Sequence, residues 1–263
     1  MKRKLIIIIR KLGLSMLSDK CRFHLHKIKY RKNISDFFKT NDGVPMPPAY
    51  FIYETYRLNY NGYYFGGKET AQELAKTFSK YVDTSNCRIL DWGCGPGRIV
   101  RHLPEILPAS EVYGSDYNKA YIEWCSSNLK NVKFITNELA PPIDFQDSFF
   151  DVIYGISIFT HLSKEMHYAW ATELLRILKP GGILYLTMHG EVFRTKLIDA
   201  DKLIFDKGQL VCQTTSKEGH RTYGAFQPPF FVRKLFKSAS EIIHFPGTDN
   251  NGSLTQDVWI IKK

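Results

Sequence analysis

The sequence predicts an α/β fold, a mostly parallel sheet with helices on both faces, and three observations carry that prediction. Short apolar runs alternate with helical patterns over residues 87–188. The first run ends in an acid and three alternate glycines, Ile89-Leu90-Asp91-Trp92-Gly93-Cys94-Gly95-Pro96-Gly97-Arg98, and Asp116 closes the second run. Strands joined by helical segments form parallel βαβ units and bury both faces of the sheet. Ligands of such sheets sit beyond the carboxyl ends of the strands, which is where the glycines fall.

Length and composition fit one domain with an appendage: 263 residues, 44% hydrophobic and 14% aromatic, are ample for a sizeable core. The division expected is a basic arm and linker over 1–48 and the α/β domain over 49–263. Residues 1–39 hold twelve of the 36 Lys/Arg and two of the 26 Asp/Glu, so the formal charge of +10 resides in the arm and the remainder is balanced. A balanced body has no net attraction for polyanions, which argues against a specific nucleic-acid partner. The arm mixes Leu, Ile and Phe with Lys, Arg and His, a composition suited to an amphipathic helix on an anionic membrane surface, with a solvated basic arm as the plainer reading. Its apolar run Leu5 to Ile9 is too short to span a bilayer or serve as a signal segment. Five cysteines, odd in number and without metal-ligand spacing, predict neither a disulfide framework nor a metal site, and with the missing signal segment they predict a cytoplasmic setting.

Val44-Pro45-Met46-Pro47-Pro48 reads as a rigid linker, and Tyr50 to Phe65 as an aromatic cap over a ligand cleft or as plain packing. Gly66-Gly67 leads into a helix over Glu69 to Tyr81, with Ala71, Leu74, Ala75 and Phe78 at helical spacing. Strands then follow at Arg88–Asp91, Glu111–Asp116, Val132–Thr136, Phe150–Ile156 and Ile183–Met188, with helices at Arg98–Leu107, Lys119–Leu129 and Lys164–Leu178. The last helix stops at Lys179-Pro180-Gly181-Gly182. Beyond these, Leu203–Thr215 reads as irregular strand, Phe230–Ser240 as helix and Asp257–Ile261 as a buried final strand.

Asp116 lies 23 residues beyond Gly93, where an acid in a dinucleotide-type fold accepts both ribose hydroxyls of an adenosine. Asn118 is placed to cap the next helix, which leaves the Asp116 carboxylate for a ligand. Asn137 and Glu138 follow the third strand, where a side chain meets an adenine edge or forms a surface turn. The glycines are spaced G-x-G-x-G rather than the G-x-G-x-x-G of loops that seat a pyrophosphate.

The run Ile89 to Gly97 resembles the first motif of class I S-adenosylmethionine-dependent methyltransferases, of the type 11/12-like domain. The resemblance extends through Gly114-Ser115-Asp116, Phe150-Asp151-Val152-Ile153-Tyr154 and Leu178-Lys179-Pro180-Gly181-Gly182-Ile183-Leu184, four motifs in order over roughly residues 69–190. It implies a Rossmann-like, seven-stranded sheet with one antiparallel strand near the end, and S-adenosyl-L-methionine as cofactor. Position by position it puts Gly93, Gly95 and Gly97 around the methionine half, Asp91 as the acid that organises the loop, Asp116 as the acid at strand two, and Gly155-Ile156-Ser157 beside the transferred methyl; Cys94, Tyr117, Asn137, Glu138 and Ile156 complete the expected cofactor-binding residues. His161, in Phe159-Thr160-His161-Leu162, and His189, at the end of the fifth strand, are the candidate bases; a fixed structural histidine is the alternative for His161, and His220 and Glu191 are looser candidates. Gln227-Pro228-Pro229-Phe230 comes near a base-gripping motif of amino-methyltransferases but follows the wrong strand. The C-terminal pattern Thr187-Met188-His189-Gly190, Pro228-Pro229-Phe230-Phe231-Val232-Arg233 and Gln256-Asp257-Val258-Trp259 is similar, by analogy, to bacterial methyltransferases associated with surface-polysaccharide genes. The expected acceptor is therefore a small molecule or a glycan, with O-methylation; a non-catalytic cofactor-binding scaffold and a methyltransferase of protein or nucleic acid are the alternatives.

Overall fold

The computed structural model describes residues 15–213 and 217–263. The chain divides into two compact units, residues 1–69 and residues 70–263, with the division inside one helix and later than the linker at 44–48.

In the first unit α1 (Ser15–Lys29), α2 (Arg31–Thr40) and α3 (Ala49–Tyr56) precede the first half of α4 (Tyr60–Phe78). The helix expected over Glu69–Tyr81 thus begins nine residues earlier and takes in much of the aromatic stretch, because Asn59 accepts the Gly62 N–H at 3.0 Å and starts the helix before Gly66. Tyr53, Tyr60 and Tyr63 are buried with Phe37, Ile52 and Leu58 in a small core of this unit.

The second unit is a seven-stranded sheet in the order β3-β2-β1-β4-β5-β11-β8, made of Arg88–Trp92 (β1), Glu111–Asp116 (β2), Lys133–Thr136 (β3), Phe150–Ile156 (β4), Leu178–Met188 (β5), Glu241–Phe245 (β8) and Asp257–Lys262 (β11). Only β11 runs against its neighbours, pairing antiparallel with β5 and β8. Side chains alternate between two cores, one on each face. Leu90, Trp92, Leu184, Leu186, Trp259 and Ile261 enter one; Ile89, Ile183, Ile260 and the α4 residues Ala71, Leu74 and Phe78 enter the other. Each fully buried side chain of this size contributes about 1.5–3 kcal/mol. A bulge between Phe150 and Val152 breaks the alternation of β4, so that Phe150 and Ile153 share a face. It also frees Asp151 to accept the Arg88 N–H at 2.8 Å and the Lys179 ammonium at 2.7 Å, tying three strands at the sheet's lower edge.

Several expected elements differ. The helix expected over Arg98–Leu107 is a turn, a 3-10 segment (Val100–His102) and one α-helical turn, α5 (Leu103–Ile106). Pro104 has no N–H to donate to the preceding turn, so a continuous helix through this stretch is broken there. The irregular strand expected over Leu203–Thr215 begins as the end of a helix, α8 (Asp199–Asp206), with Asp199 and Asp201 in its first turn favouring the helix dipole; the short β6 (Val211–Gln213) follows and pairs antiparallel with β7 (Gly224–Phe226), and Thr214 and Thr215 lie outside the described residues. The helix expected to Ser240, α9 (Pro229–Leu235), ends five residues early, and the edge strand β8 follows it unforeseen, with the short antiparallel pair β9 (Asp249–Asn250) and β10 (Ser253–Leu254) between β8 and β11. Strand Lys133–Thr136 and helices α6 (Lys119–Asn128) and α7 (Lys164–Ile177) match expectation within a residue of each end.

Candidate functional site

A pocket opens at the carboxyl ends of β1 to β4. It encloses about 440 Å³, open mouth included, between Trp92, Gly93, Asp116, Tyr117, Asn137, Leu139, Ile158, His161, Leu162, Trp170 and Gly219.

The floor is the glycine loop. The Gly93 and Cys94 amides both donate to the Ser115 carbonyl, at 2.8 and 2.9 Å, which folds the end of β1 over β2. Gly93 has φ +78°, and a Cβ there would lie 2.2 Å from Ile158 Cδ1, so loop and wall meet only because the side chain is absent. The loop is tied to Asp116, whose Oδ2 accepts the Gly95 N–H at 2.9 Å and whose Oδ1 accepts the Asn118 N–H at 2.8 Å. Asn118 caps α6 itself, through the Ala120 N–H at 3.1 Å. Asp116 is therefore a brace of the loop that faces the pocket, and each of its oxygens retains a lone pair for a further donor. Burial pushes its pKa up to about 6, against the pull of the Asn118 and Gly95 amides.

Asp91 sits behind the loop. Burial pushes its carboxyl up to about 7, opposed by the Tyr154 hydroxyl and the Arg98 charge and reinforced by Asp116. Cys94 and Cys125 both direct their thiols at the Gly95 carbonyl, at 3.5 and 3.7 Å. Burial raises the Cys94 thiol well above its ordinary value, so it packs as a small apolar group.

Of the remaining residues singled out in the sequence, Tyr117 and Asn137 line the pocket. The Tyr117 hydroxyl donates to the Gly219 carbonyl at 3.0 Å. Asn137 Nδ2 donates to the Glu138 carbonyl at 2.6 Å, while its Oδ1 is buried without a hydrogen-bond partner. A buried, unpaired acceptor on a pocket wall is costly unless a ligand donates to it. Cys94, Gly95, Gly97, Glu138 and Ile156 stand outside the lining. Ile156 packs into the core on the α4 face of the sheet, and Ile158 takes its place against Gly93. The cause is Ser157, whose φ of +66° turns the chain after β4. A polar network holds that turn: the Ser157 amide donates to Thr187 Oγ1 at 2.9 Å, Thr187 Oγ1 donates to Gln256 Oε1 at 2.6 Å, and Gln256 Nε2 donates to Ser157 Oγ at 2.7 Å. No local pattern around Gln256, 99 residues from Ser157, announces this role. Trp170 was legible only as a core residue of α7; its indole N–H donates to the Leu139 carbonyl at 2.9 Å and its ring meets Trp92 at 5.0 Å.

The two candidate bases separate. His161 lines the pocket, with Nδ1 2.9 Å from the Tyr223 carbonyl. A carbonyl only accepts, so Nδ1 carries the proton and Nε2 is left as an acceptor; burial lowers the pKa and keeps the ring neutral. His189 lies off the pocket, stacked 4.2 Å from Phe193 with Nδ1 3.1 Å from the Ala225 carbonyl, and burial lowers it to about 4. His220 and Glu191 are exposed. Gln227 is a structural lock: its Nε2 donates to the Phe159 carbonyl at 3.0 Å and to His167 Nε2 at 3.1 Å, and its Oε1 accepts the His189 N–H.

A mostly parallel sheet with one reversed strand, a G-x-G-x-G loop braced by an acid at the end of β2, and an apolar pocket with a buried acceptor at β3 together define the class I S-adenosylmethionine-dependent methyltransferase domain. Residues 89–182 match a family model described as "Methyltransferase domain". It is similar to O-methyltransferase 3 of Dictyostelium discoideum, 26% identical over 68% of this chain and 45% of that protein. It is also similar to phthiotriol/phenolphthiotriol dimycocerosates methyltransferase 1 of Mycobacterium ulcerans, 30% identical over 41% of this chain and 39% of that protein. The chain thus spans less than half the length of these curated relatives. Among solved structures, a SAM-dependent methyltransferase of Methanosarcina mazei superposes with a TM-score of 0.54 at 22% identity, over 71% of this chain and 96% of the other. The magnesium protoporphyrin IX methyltransferase of Synechocystis, with bound SAH, gives 0.54 at 15% identity over 89% of this chain and all of that one. The cofactor of the class is S-adenosylmethionine, and the pocket's chemistry fits it: Asp116 has acceptor capacity for ribose hydroxyls, Asn137 Oδ1 for an adenine amino group, and Leu139, Ile158 and the tryptophans offer apolar surface.

Proposed function

We propose that the domain methylates a hydroxyl group of a small-molecule or saccharide acceptor. The observation that supports this reading is His161, a neutral imidazole on the pocket wall with Nδ1 committed to Tyr223 and Nε2 bare. Bound in the pocket, S-adenosylmethionine supplies an electrophilic methyl group on a sulfonium sulfur. Asp116 and Asn137 hold the adenosine half, while Trp92, Ile158 and Leu162 exclude water from the reacting centre. His161 Nε2 accepts the hydroxyl proton as the oxygen becomes an ether, acting as a general base on an acceptor held in line. The balanced charge of residues 40–263 favours a neutral acceptor over a nucleic acid. The likeness of the C-terminal pattern to enzymes of surface-polysaccharide genes points to a glycan, free or lipid-linked.

The test is incubation with methyl-labelled S-adenosylmethionine and a panel of saccharides, small alcohols, RNA and protein, following label transfer and S-adenosylhomocysteine release. Transfer to a hydroxyl acceptor, lost by about 10²-fold or more in kcat in His161→Asn with cofactor affinity kept, is expected. Transfer confined to RNA or protein refutes the acceptor class. Tight cofactor binding with no transfer to any acceptor favours the scaffold alternative.

A further inference from the structure

Helix α1 of the N-terminal unit carries two apolar stripes, and among the described residues one of them is used in packing while the other is exposed. On one side Phe23 meets Tyr50 edge-on at 5.3 Å and Tyr53 at 5.4 Å, and His26 meets Tyr53 at 5.5 Å. On the other, Leu25 is 67% and Ile28 74% exposed, with Cys21 exposed in line with them. Positions 21, 25 and 28 are spaced i, i+4, i+7, so they form a continuous stripe along the helix. Lys20, Arg22, Lys27 and Lys29 are exposed beside it, and Arg31 and Lys32 follow at the start of α2. Asp36 is the only acid between positions 20 and 41, and it pairs with Lys39 at 3.3 Å.

We propose that this face of α1 lies on the surface of an anionic lipid bilayer, with Leu25 and Ile28 below the headgroups and the flanking cations among the phosphates. The charge pattern selects this occupant. A second copy of the helix would set the same cations against one another, at a cost in repulsion. Residues 1–14 hold five Lys/Arg and no acid, so covering the stripe with them would carry the same cost in repulsion. A polyanion without an apolar layer satisfies the cations but leaves Leu25 and Ile28 in water. An anionic bilayer alone among these supplies both, and long Lys and Arg stems reach the headgroups while the stripe inserts. Among the described residues no helix is long and apolar enough to cross a membrane.

The experiment is co-sedimentation of the full-length protein with vesicles of phosphatidylcholine alone and of phosphatidylcholine with phosphatidylglycerol, for the natural sequence and for the double variant Leu25→Asn, Ile28→Asn. Both side chains are exposed, so the variant is expected to melt as the natural protein does. Binding that requires phosphatidylglycerol, weakens with added salt, and falls on the order of tenfold to a hundredfold in the variant is the expected result. Equal sedimentation of the two proteins overturns the proposal, as does equal binding to vesicles without phosphatidylglycerol. Absence of vesicle binding, together with a dimer in sedimentation velocity that the variant dissolves, assigns the stripe to a second copy and overturns it equally.

Discussion

Replacing Asp116 by Asn removes one charge and turns one oxygen into an NH2 group at the point where the glycine loop is tied down. Two effects oppose each other in the free protein. One of the two backbone amides, Gly95 or Asn118, now faces a donor instead of an acceptor, which costs about 1–3 kcal/mol. Against this, burial holds the carboxyl at about 6 rather than 3.8, so at pH 8 the ionised form is itself disfavoured by roughly 3 kcal/mol, a penalty the amide does not carry. The net change in stability is therefore within about 2 kcal/mol, a shift of a few degrees in melting temperature. Ligand affinity has no such compensation. Each ribose hydroxyl loses a charged acceptor worth about 1.5–3 kcal/mol, so S-adenosylhomocysteine binding is expected to weaken by tenfold at least and by about 10² for one fully lost bond. Calorimetric titration at pH 8 measures it, with thermal melts as control. The pH dependence adds a second signature, because natural affinity falls as the pH drops through about 6 and Asp116 takes a proton, whereas the variant is flat over that interval. A dissociation constant unchanged within about threefold would falsify the ribose assignment.

Two other outcomes follow from the same geometry. Gly93→Ala introduces a Cβ 2.2 Å from Ile158 Cδ1 at φ +78°, so the pocket wall must move; a stability loss of about 1–3 kcal/mol and at least a tenfold weaker S-adenosylhomocysteine affinity are expected, and near-natural titration curves refute the close approach of loop and wall. Stability against pH should pass through a maximum between about pH 5 and 7. Asp91, raised to about 7 from 3.8, binds a proton in the folded state that the unfolded chain does not hold, so it adds stability as the pH falls below 7 and that contribution is lost as the pH rises through 7. His167 and His189, each lowered to about 4 from 6.5, stay neutral when folded while the unfolded chain takes protons, so their contribution is full above 6.5 and is lost as the pH falls toward 4. Thermal melts of Asp91→Asn should lose the decline between about pH 6.5 and 7 and rise more steeply between about 4 and 6.5, where Asp91 opposes the histidines; a parallel shift across the whole range rejects this origin.

The strand alternation and the glycine loop were readable because they rest on local constraints. A buried parallel strand must be apolar on both faces, and a chain that turns back on itself beneath a ligand must shed its side chains, so Ile89 to Gly97 and Asp116 fell into place from spacing alone. Asn118 as helix cap follows the same logic. What misled was also local: the apolar residues of 203–205 suit either a strand or a helix, and Pro104 was passed over within an expected helix.

The sequence by itself determined strands β1 to β5 and β11 and the glycine loop, which follow from local pattern, and it pointed to the class of the domain through the resemblance of four motifs over roughly residues 69–190. Only the tertiary structure decided which of two histidines faces the pocket. His161 and His189 occupy similar places after neighbouring strands, but Tyr223 holds one on the pocket wall while Phe193 and Phe226 sandwich the other. It also decided that Ile158 rather than Ile156 forms the wall, because Gln256 and Thr187 hold Ser157 in a turn that no local preference would choose. Such contacts join residues distant in the chain, and their energy exists only once the sheet has brought β4, β5 and β11 side by side.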